Sequence, residues 1–90
     1  MALYMVGYDL NKPGQDYKDL ITALKLYSKW WHCLDSTWII SSDQSASQVR
    51  DSLVKYLDNN DELLVAVIAA PAAWRGFSTE GSNWLKTNIT

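Results

Sequence analysis

The chain is poor in cysteine and glycine and has no long apolar run, features on which disulfide-bonded, phosphate-binding and membrane-spanning proteins depend. Its 90 residues include one cysteine, Cys33, so neither an intrachain disulfide nor a cysteine-based zinc site can form. Its four glycines make no glycine-rich phosphate loop. No apolar run approaches the roughly 20 residues that span a bilayer, and the amino terminus lacks the pattern of a signal peptide. We therefore expect a soluble, cytoplasmic protein with no membrane partner.

Positive charge is also scarce. Eight lysines and arginines stand against ten acidic residues, which gives a formal charge of -2 and a pI of about 5.1. The basic residues are scattered along the chain, whereas domains that bind polyanions usually cluster them on one face. Long-range attraction to nucleic acid should therefore be weak, although a local basic patch can still exist.

Large apolar side chains are abundant. Apolar residues make up 48% of the chain, with five Trp and five Tyr. Ninety residues form one domain, residues 1–90, and a domain of this size buries only a modest core. The surplus of aromatic residues predicts a further apolar surface that a partner covers.

Apolar periodicity predicts strands that alternate with two helices. The strands 2–9 and 62–69 are apolar on both faces, which indicates that both faces of the sheet are covered. Ser45 and Gln48 have the spacing of a capping box at the start of the second helix. The predicted elements, in chain order, are strand 2–9, helix 16–27 with Asp16 as its cap, a β-prone segment 30–41, a helix from Ser45 to about residue 57, strand 62–69, and a tail 71–90 of uncertain structure with a last helical turn or two near 82–89.

This order becomes a ferredoxin-like βαββαβ pattern if one more strand exists. That strand would be a hairpin partner hidden in 30–41 or a short strand near 74–77. The expected fold class is α+β, an antiparallel sheet with two helices on one face. Because the other face would be bare and strongly apolar, we expect a second copy to cover it in a C2 homodimer.

Asp9 is the one acidic residue whose position invites a catalytic interpretation. It ends the first strand, and the turn residues Asn11 to Gly14 follow. A carboxylate at that position could hold a divalent metal, and one from each subunit of a dimer would supply two. The alternative is structural: Asp9 would accept hydrogen bonds in an Asx-turn with Asn11 or Lys12.

The element order, the length and the Tyr8-Asp9 end of the first strand resemble the Cas2 superfamily, which includes the CRISPR-associated Cas2 proteins and the VapD toxins. The segment Ser36 to Ile40 contributes to the resemblance, which covers roughly residues 3–70. It implies a ferredoxin-like homodimer in which Asp9 of both subunits binds Mg²⁺ or Mn²⁺ and cleaves RNA or DNA. Other members of the superfamily are non-catalytic adaptors. The chain departs from the pattern in its acidic balance, in a first loop without a basic cluster and in the tail from Pro71 onward.

Two functions follow as hypotheses. The first is a metal-dependent nuclease acting on RNA or single-stranded nucleic acid through Asp9. The second is a non-catalytic dimeric interaction or adaptor module of a defence or mobile-element system, with the Trp-rich tail binding a partner. The candidate binding residues are Tyr8, next to Asp9, and the pair Trp74 and Arg75, where stacking and a cation can meet one ligand. Packing in a core or interface is the alternative role for Trp74.

Overall fold

The computed structural model describes residues 1–11 and 17–89, and it forms an α+β fold of four strands and three helices. The segment 30–41 is a hairpin, as one of the two alternatives predicted, and no strand forms near 74–77. The expected cap Asp16 lies outside the described residues. The elements are β1 (Ala2–Asp9), α1 (Lys18–Lys25), β2 (Trp30–Leu34), β3 (Thr37–Ser42), α2 (Ala46–Val54), β4 (Glu62–Ile68) and α3 (Thr79–Asn88).

The four strands form one antiparallel sheet in the order β2-β3-β1-β4. Strand β1 is central, and its residue Val6 lies opposite Trp38 of β3 and Val65 of β4. Successive side chains of a strand project from opposite faces of the sheet, so a central strand contributes side chains to both faces. This explains why β1 is apolar on both faces up to Tyr8, the residue before Asp9.

Helices α1 and α2 pack on one face of the sheet, which we call the helix face. The indole of Trp38 is fully buried there and donates its N–H to the Tyr8 hydroxyl at 2.9 Å. Trp38 is therefore a core residue whose polar atom is satisfied, as a buried Trp requires. The core of the helix face consists of Tyr4, Val6, Tyr8, Tyr17, Leu20, Leu24, Trp38, Ile40, Val49 and Leu53.

The two helices on this face begin in different ways. The predicted capping box of α2 is confirmed: the Ser45 hydroxyl accepts from the Gln48 N–H at 3.2 Å, and Gln48 Oε1 accepts from the Ser45 N–H at 2.9 Å. Helix α1 has no side-chain cap. It is preceded by Tyr17 in the left-handed region, with φ of 54°. The Tyr17 hydroxyl donates to Asp61 Oδ1 at 2.7 Å, and its ring is buried, so tertiary contacts hold this unusual backbone.

The opposite face of the sheet, which we call the tail face, is not bare as expected, because the tail of the same chain packs on part of it. Trp31 and Leu85 are buried there. The Trp31 indole N–H donates to the Gly81 carbonyl at 3.2 Å, and the Trp31 ring meets Phe77 edge-on with centroids 4.9 Å apart. The tail Trp residues predicted to bind a partner, Trp74 and Trp84, pack against this cluster.

The close approach of α3 to the sheet depends on Gly81. A Cβ at this position would lie 2.8 Å from the Cys33 Sγ, closer than side chains normally approach. The absence of a side chain at Gly81 lets the helix backbone reach Trp31, whose N–H bonds to the carbonyl of the same glycine. The last helix starts at Thr79, three residues earlier than predicted.

Part of the tail face stays uncovered, near the end of β1. Leu64 of β4 projects from this face and is 58% exposed. Val67, on the same strand, is 66% exposed but projects from the helix face, because it lies opposite the core residue Tyr4. Within residues 1–11 and 17–89, no helix is long and apolar enough to cross a membrane.

The tail should contribute to global stability as part of one cooperative core. Leu85→Ala removes a side chain that is 3% exposed, so we expect it to lower the free energy of unfolding by about 2–5 kcal/mol. The matched control is Leu26→Ala, at a residue 80% exposed, which should change it by less than about 0.5 kcal/mol. Urea unfolding followed by Trp fluorescence measures both. Equal, small effects would show that the tail does not pack on the sheet.

Candidate functional site

Asp9 is exposed at the last position of β1. Its side chain projects from the tail face, because Tyr4, Val6 and Tyr8 at alternate positions project into the core of the helix face. The sheet therefore places this carboxylate on the surface that the tail leaves uncovered. It also separates Asp9 from the Tyr8 side chain, which lies on the other face.

Glu62 is the direct neighbour of Asp9. The two residues are opposite each other in the antiparallel pairing of β1 with β4. Directly opposite residues have Cβ atoms about 4.5–5.5 Å apart, and a pair of like charges there is destabilising. The sequence analysis did not identify Glu62 as a site residue. The feature that could have identified Glu62 is its position at the start of β4. That position points to Asp9 only when the pairing register of β4 with β1 is known.

The two carboxylates border an open cavity of about 440 Å³. Its floor includes Gly7, and a Cβ placed on Gly7 would meet no atom within 4 Å, so the space above this strand position is empty. The hydroxyl residues Ser36 and Thr37, at the β2–β3 turn, lie on the other side of the cavity. The lining residues are Met5, Gly7, Tyr8, Asp9, Ser36, Thr37, Glu62, Leu63 and Leu64.

The structural alternative for Asp9 assigned its carboxylate to the turn that follows. In the structure another carboxylate has that role: the Asn11 N–H donates to Asp61 Oδ1 at 2.7 Å. The Asn11 side-chain amide donates to the Asn60 carbonyl at 2.7 Å and, at 3.4 Å, to the main-chain carbonyl of Asp9. Among the described residues no hydrogen bond or ion pair engages the Asp9 carboxylate itself. Lys12, the other proposed partner, lies outside them.

Four residues that line this cavity, Asp9, Ser36, Thr37 and Glu62, carry side-chain oxygens of the kind that a hard divalent cation takes as ligands. Carboxylate and hydroxyl oxygens are the donors that Mg²⁺ and Mn²⁺ prefer, and Mg²⁺ is usually held by one or two carboxylates together with water and substrate phosphate. In the described part of the chain no group of three or more His, Cys, Asp or Glu residues surrounds a common point. Within residues 1–11 and 17–89, the carboxylates that line this cavity are those of Asp9 and Glu62. The Asn11 side-chain amide also donates to Glu62 Oε1 at 3.3 Å.

The candidate binding residues Trp74 and Arg75 line a second cavity, of about 410 Å³, between the tail and the sheet. Trp74 is half-buried against the Trp31 cluster, whereas Arg75 is exposed. Met5 and Thr37 line both cavities, so the two adjoin on the tail face. Trp74 and Arg75 are therefore brought to the same face as Asp9.

A third depression lies between α1 and α2 and shares no residue with the other two. Burial, with a further contribution from the neighbouring Tyr56, raises the pKa of the Tyr27 phenol above its usual value. Tyr27 therefore stays neutral at physiological pH, and it lines a depression that is separate from the Asp9 cavity.

Comparison with known proteins does not identify a family. No protein-family model matches the chain, and no solved structure matches it. The resemblance to the Cas2 superfamily consequently rests on the residues and the element order described above, and it stays a prediction.

The pairing of Asp9 with Glu62 makes a stability prediction. Asp9→Asn removes one of two like charges on neighbouring strands, so we expect it to stabilise the fold by about 0.2–1 kcal/mol at low ionic strength. The gain should shrink as salt is added, because salt screens exposed charges. The control, Asp19→Asn, removes an acid from the first turn of α1, where it interacts favourably with the helix dipole. It should be neutral or destabilising. Destabilisation by Asp9→Asn in urea titrations would show that the carboxylate is structural.

Proposed function

We propose that this protein is a Cas2-like, ferredoxin-like homodimer that hydrolyses phosphodiester bonds in RNA or single-stranded nucleic acid with the help of Mg²⁺ or Mn²⁺. Asp9 from both subunits is the catalytic and metal-binding residue, and the protein acts in the cytoplasm. The proposal combines three parts, the fold, the site and the assembly, and each has its own support.

The support for the ferredoxin-like fold is the strand order. A βαββαβ chain of that type places β1 and β3 at the centre of an antiparallel sheet and both helices on one face. The order β2-β3-β1-β4, with α1 and α2 packed on the helix face, agrees with this arrangement. Helix α3 is an addition to it.

The main support for the proposed chemistry is the environment of the Asp9 carboxylate. It is exposed, it borders an open cavity, and it lies opposite a second carboxylate, Glu62. Two like charges directly opposite each other reduce stability, and departures of this kind from the most stable sequence are expected at functional sites. A structural aspartate in a turn would instead accept hydrogen bonds, as Asp61 does.

The residues of the cavity have separate roles in this proposal. Asp9 supplies the carboxylate that holds the cation, and Glu62 adds negative charge that favours cation binding. The hydroxyls of Ser36 and Thr37, which line the cavity, would donate to a non-bridging phosphate oxygen. A bound divalent cation would supply an activated water and neutralise charge on the phosphate.

The support for the homodimer is the uncovered part of the tail face. Asp9, Gly7 and Leu64 lie together there, and Leu64 is an exposed leucine in the middle of a strand. A second copy packed over this area would cover Leu64 and bring its own Asp9 to the same side. The metal site, to which the described residues of one chain contribute two carboxylates, would then be completed by two chains.

The nuclease activity is tested with labelled RNA and single-stranded DNA in Mn²⁺ or EDTA. We expect wild-type protein to cleave in Mn²⁺ only. Asp9→Asn should lose roughly 10²–10³-fold in rate, the loss typical when one preorganised electrostatic group is removed. Asp19→Asn, which makes the same change of charge on α1, should keep full activity. Cleavage that survives Asp9→Asn would come from a contaminant and would end the proposal.

The second function, a non-catalytic dimeric adaptor, is favoured by one observation. The described residues hold no group of three metal-ligating side chains, whereas exposed apolar residues remain on the sheet. Under this function the protein would dimerise and bind a partner without hydrolysing any substrate. Absence of cleavage by wild-type protein that is folded and dimeric would favour it over the nuclease.

The surface used for dimerisation is tested with a matched pair on β4. Leu64→Lys places a charge on the tail face and should give a folded monomer. Val67→Lys places the same charge on the helix face, at a residue of similar exposure, and should remain dimeric. Sedimentation velocity distinguishes a mass of about 10.2 kDa from twice that value. If both variants stay dimeric, the second copy does not bind at the uncovered part of the tail face.

A further inference from the structure

Strand β2 presents aromatic rings to solvent on the helix face, at the edge of the sheet. Its burial is unusual for a segment so rich in aromatic residues: Trp31 is buried on the tail face, whereas Trp30 and His32 are exposed. Trp30 is 39% exposed. Both exposed rings contact the buried indole of Trp38, which lies on the neighbouring strand. We call Trp30 and His32, with Trp38 beneath them, the aromatic ledge.

The rings of the ledge are arranged as a stack with an open outer side. The His32 imidazole lies parallel to the Trp38 indole, with 3.8 Å between centroids and an interplanar angle of 11°. The Trp30 ring is tilted by 47° to Trp38 with centroids 5.5 Å apart. Trp38 is fully buried, so one side of His32 is filled by indole while the residue as a whole remains exposed. A planar group placed on the outer side of His32 would extend the stack.

An irregularity in the pairing of β2 with β3 orients the His32 side chain toward Trp38. Trp31 lies opposite Ile39, but Leu34 lies opposite Thr37, so two residues of β2, His32 and Cys33, stand opposite Trp38 alone. Such bulges re-aim side chains and occur often beside functional sites. His32 Nε2 lies 3.1 Å from the Asp35 carbonyl, a hydrogen bond that fixes the ring plane.

Positive charge lies at the other end of the ledge. The Lys25 ammonium, at the end of α1, is 5.6 Å from the centroid of the Trp30 ring. Lys29 is the next basic residue, and its ammonium donates to Asn88 Oδ1 at 3.2 Å. The acidic residues near the ledge are Asp35, in the turn beyond His32, and Glu80 of α3, which lines a cavity together with Trp30 and His32. The cation of the ledge is therefore Lys25, on the α1 side of Trp30, where a phosphate would be accepted.

We infer that the aromatic ledge is a binding subsite for an unpaired base of single-stranded nucleic acid, in which the base stacks on His32 and Trp30 while Lys25 contacts the adjoining phosphate. Stacking platforms with a neighbouring cation are how proteins hold single strands without reading their sequence. The ligand class rests on the proposed function, and the ledge adds the place where that substrate is held.

The ledge and the Asp9 cavity adjoin the same turn of the sheet. The β2–β3 turn, Asp35-Ser36, connects the strand that carries His32 to the strand beside β1. The Tyr8 N–H donates to the Ser36 carbonyl at 3.0 Å, so this turn adjoins the end of β1. Ser36 also lines the Asp9 cavity. Ledge and cavity thus lie at one end of the sheet, on opposite faces.

The test measures binding without cleavage. Fluorescence anisotropy of a labelled single-stranded RNA is recorded in EDTA with wild-type protein, His32→Ala, Trp30→Ala and the conservative variant His32→Phe. Stacking on an aromatic side chain is worth about 1–3 kcal/mol per base, so each alanine variant should weaken binding by about 5- to 150-fold. His32→Phe keeps the stacked ring and should retain most of the affinity. Circular dichroism and urea unfolding establish that each variant is folded.

Three further arms separate this inference from its alternatives. Lys25→Gln should reduce the slope of log K against log salt by about 0.7, the loss of one phosphate contact on a single strand. A blunt duplex of the same sequence should compete poorly, because its bases are not available for stacking. Lys86→Gln, on α3, removes an exposed charge away from the ledge and should leave both affinity and slope unchanged.

The failure of the ledge and the failure of the nuclease are distinguishable. If wild-type protein cleaves RNA in Mn²⁺ but the alanine variants bind it in EDTA as wild type does, the ledge is overturned and the catalytic proposal stands. If wild-type protein binds RNA in EDTA through Trp30 and His32 but never cleaves it, the ledge stands and the nuclease fails. Absence of binding to any single-stranded oligonucleotide by wild-type protein would overturn the ledge.

Discussion

The structure depends on one constraint, that a central strand apolar on both faces must be covered on both. Strand β1 pairs with β3 on one side and with β4 on the other, so it is an interior strand. Its side chains project only from the two faces of the sheet. Helices α1 and α2 cover the helix face, and the tail covers part of the tail face. Apolar burial at about 25 cal/mol per Å² is the main favourable term in both places. The remaining uncovered area is where we place the second copy.

The tail changes what the abundance of tryptophan means. The composition suggested a surplus of aromatic side chains for a partner to cover, yet Trp31, Trp74 and Trp84 all belong to one cluster within the chain. This cluster is held by directional contacts as well as by burial, since the Trp31 N–H bonds to the Gly81 carbonyl and the ring meets Phe77 edge-on. The aromatic side chains that remain exposed are those of Trp30 and His32. They flank Trp31 on β2 and project from the helix face, whereas Trp31 projects from the tail face.

Local patterns in the sequence predicted the elements that local interactions determine. Strand β1 matches its predicted bounds of 2–9, and the capping box at Ser45 forms as its spacing indicates. The hairpin within 30–41 was only one of two alternatives, because its turn, Asp35-Ser36, has neither the glycine nor the asparagine of the common two-residue turns. The docking of the tail could not be predicted, because it depends on contacts between residues about 50 positions apart, such as Trp31 and Gly81.

The site shows the same limit. Asp9 was predicted from its place at a strand end, a local feature. Glu62, its neighbour, required the register between two strands that are distant in sequence. His32 was not among the predicted site residues. Adjacent strand residues point to opposite faces, and accordingly His32 stacks on Trp38 while the Cys33 Sγ lies beside Gly81. What the pattern did not reveal is the bulge that lays the imidazole flat on a buried indole.

The proposed activity depends on two chains sharing one divalent cation through Asp9. The stoichiometry of Mn²⁺ binding, measured by calorimetric titration of the metal-free protein, tests this arrangement. We expect one tightly bound Mn²⁺ for every two chains, and no such binding in Asp9→Asn. Binding that persists in Asp9→Asn, or no binding to the folded wild-type protein at millimolar Mn²⁺, would contradict it.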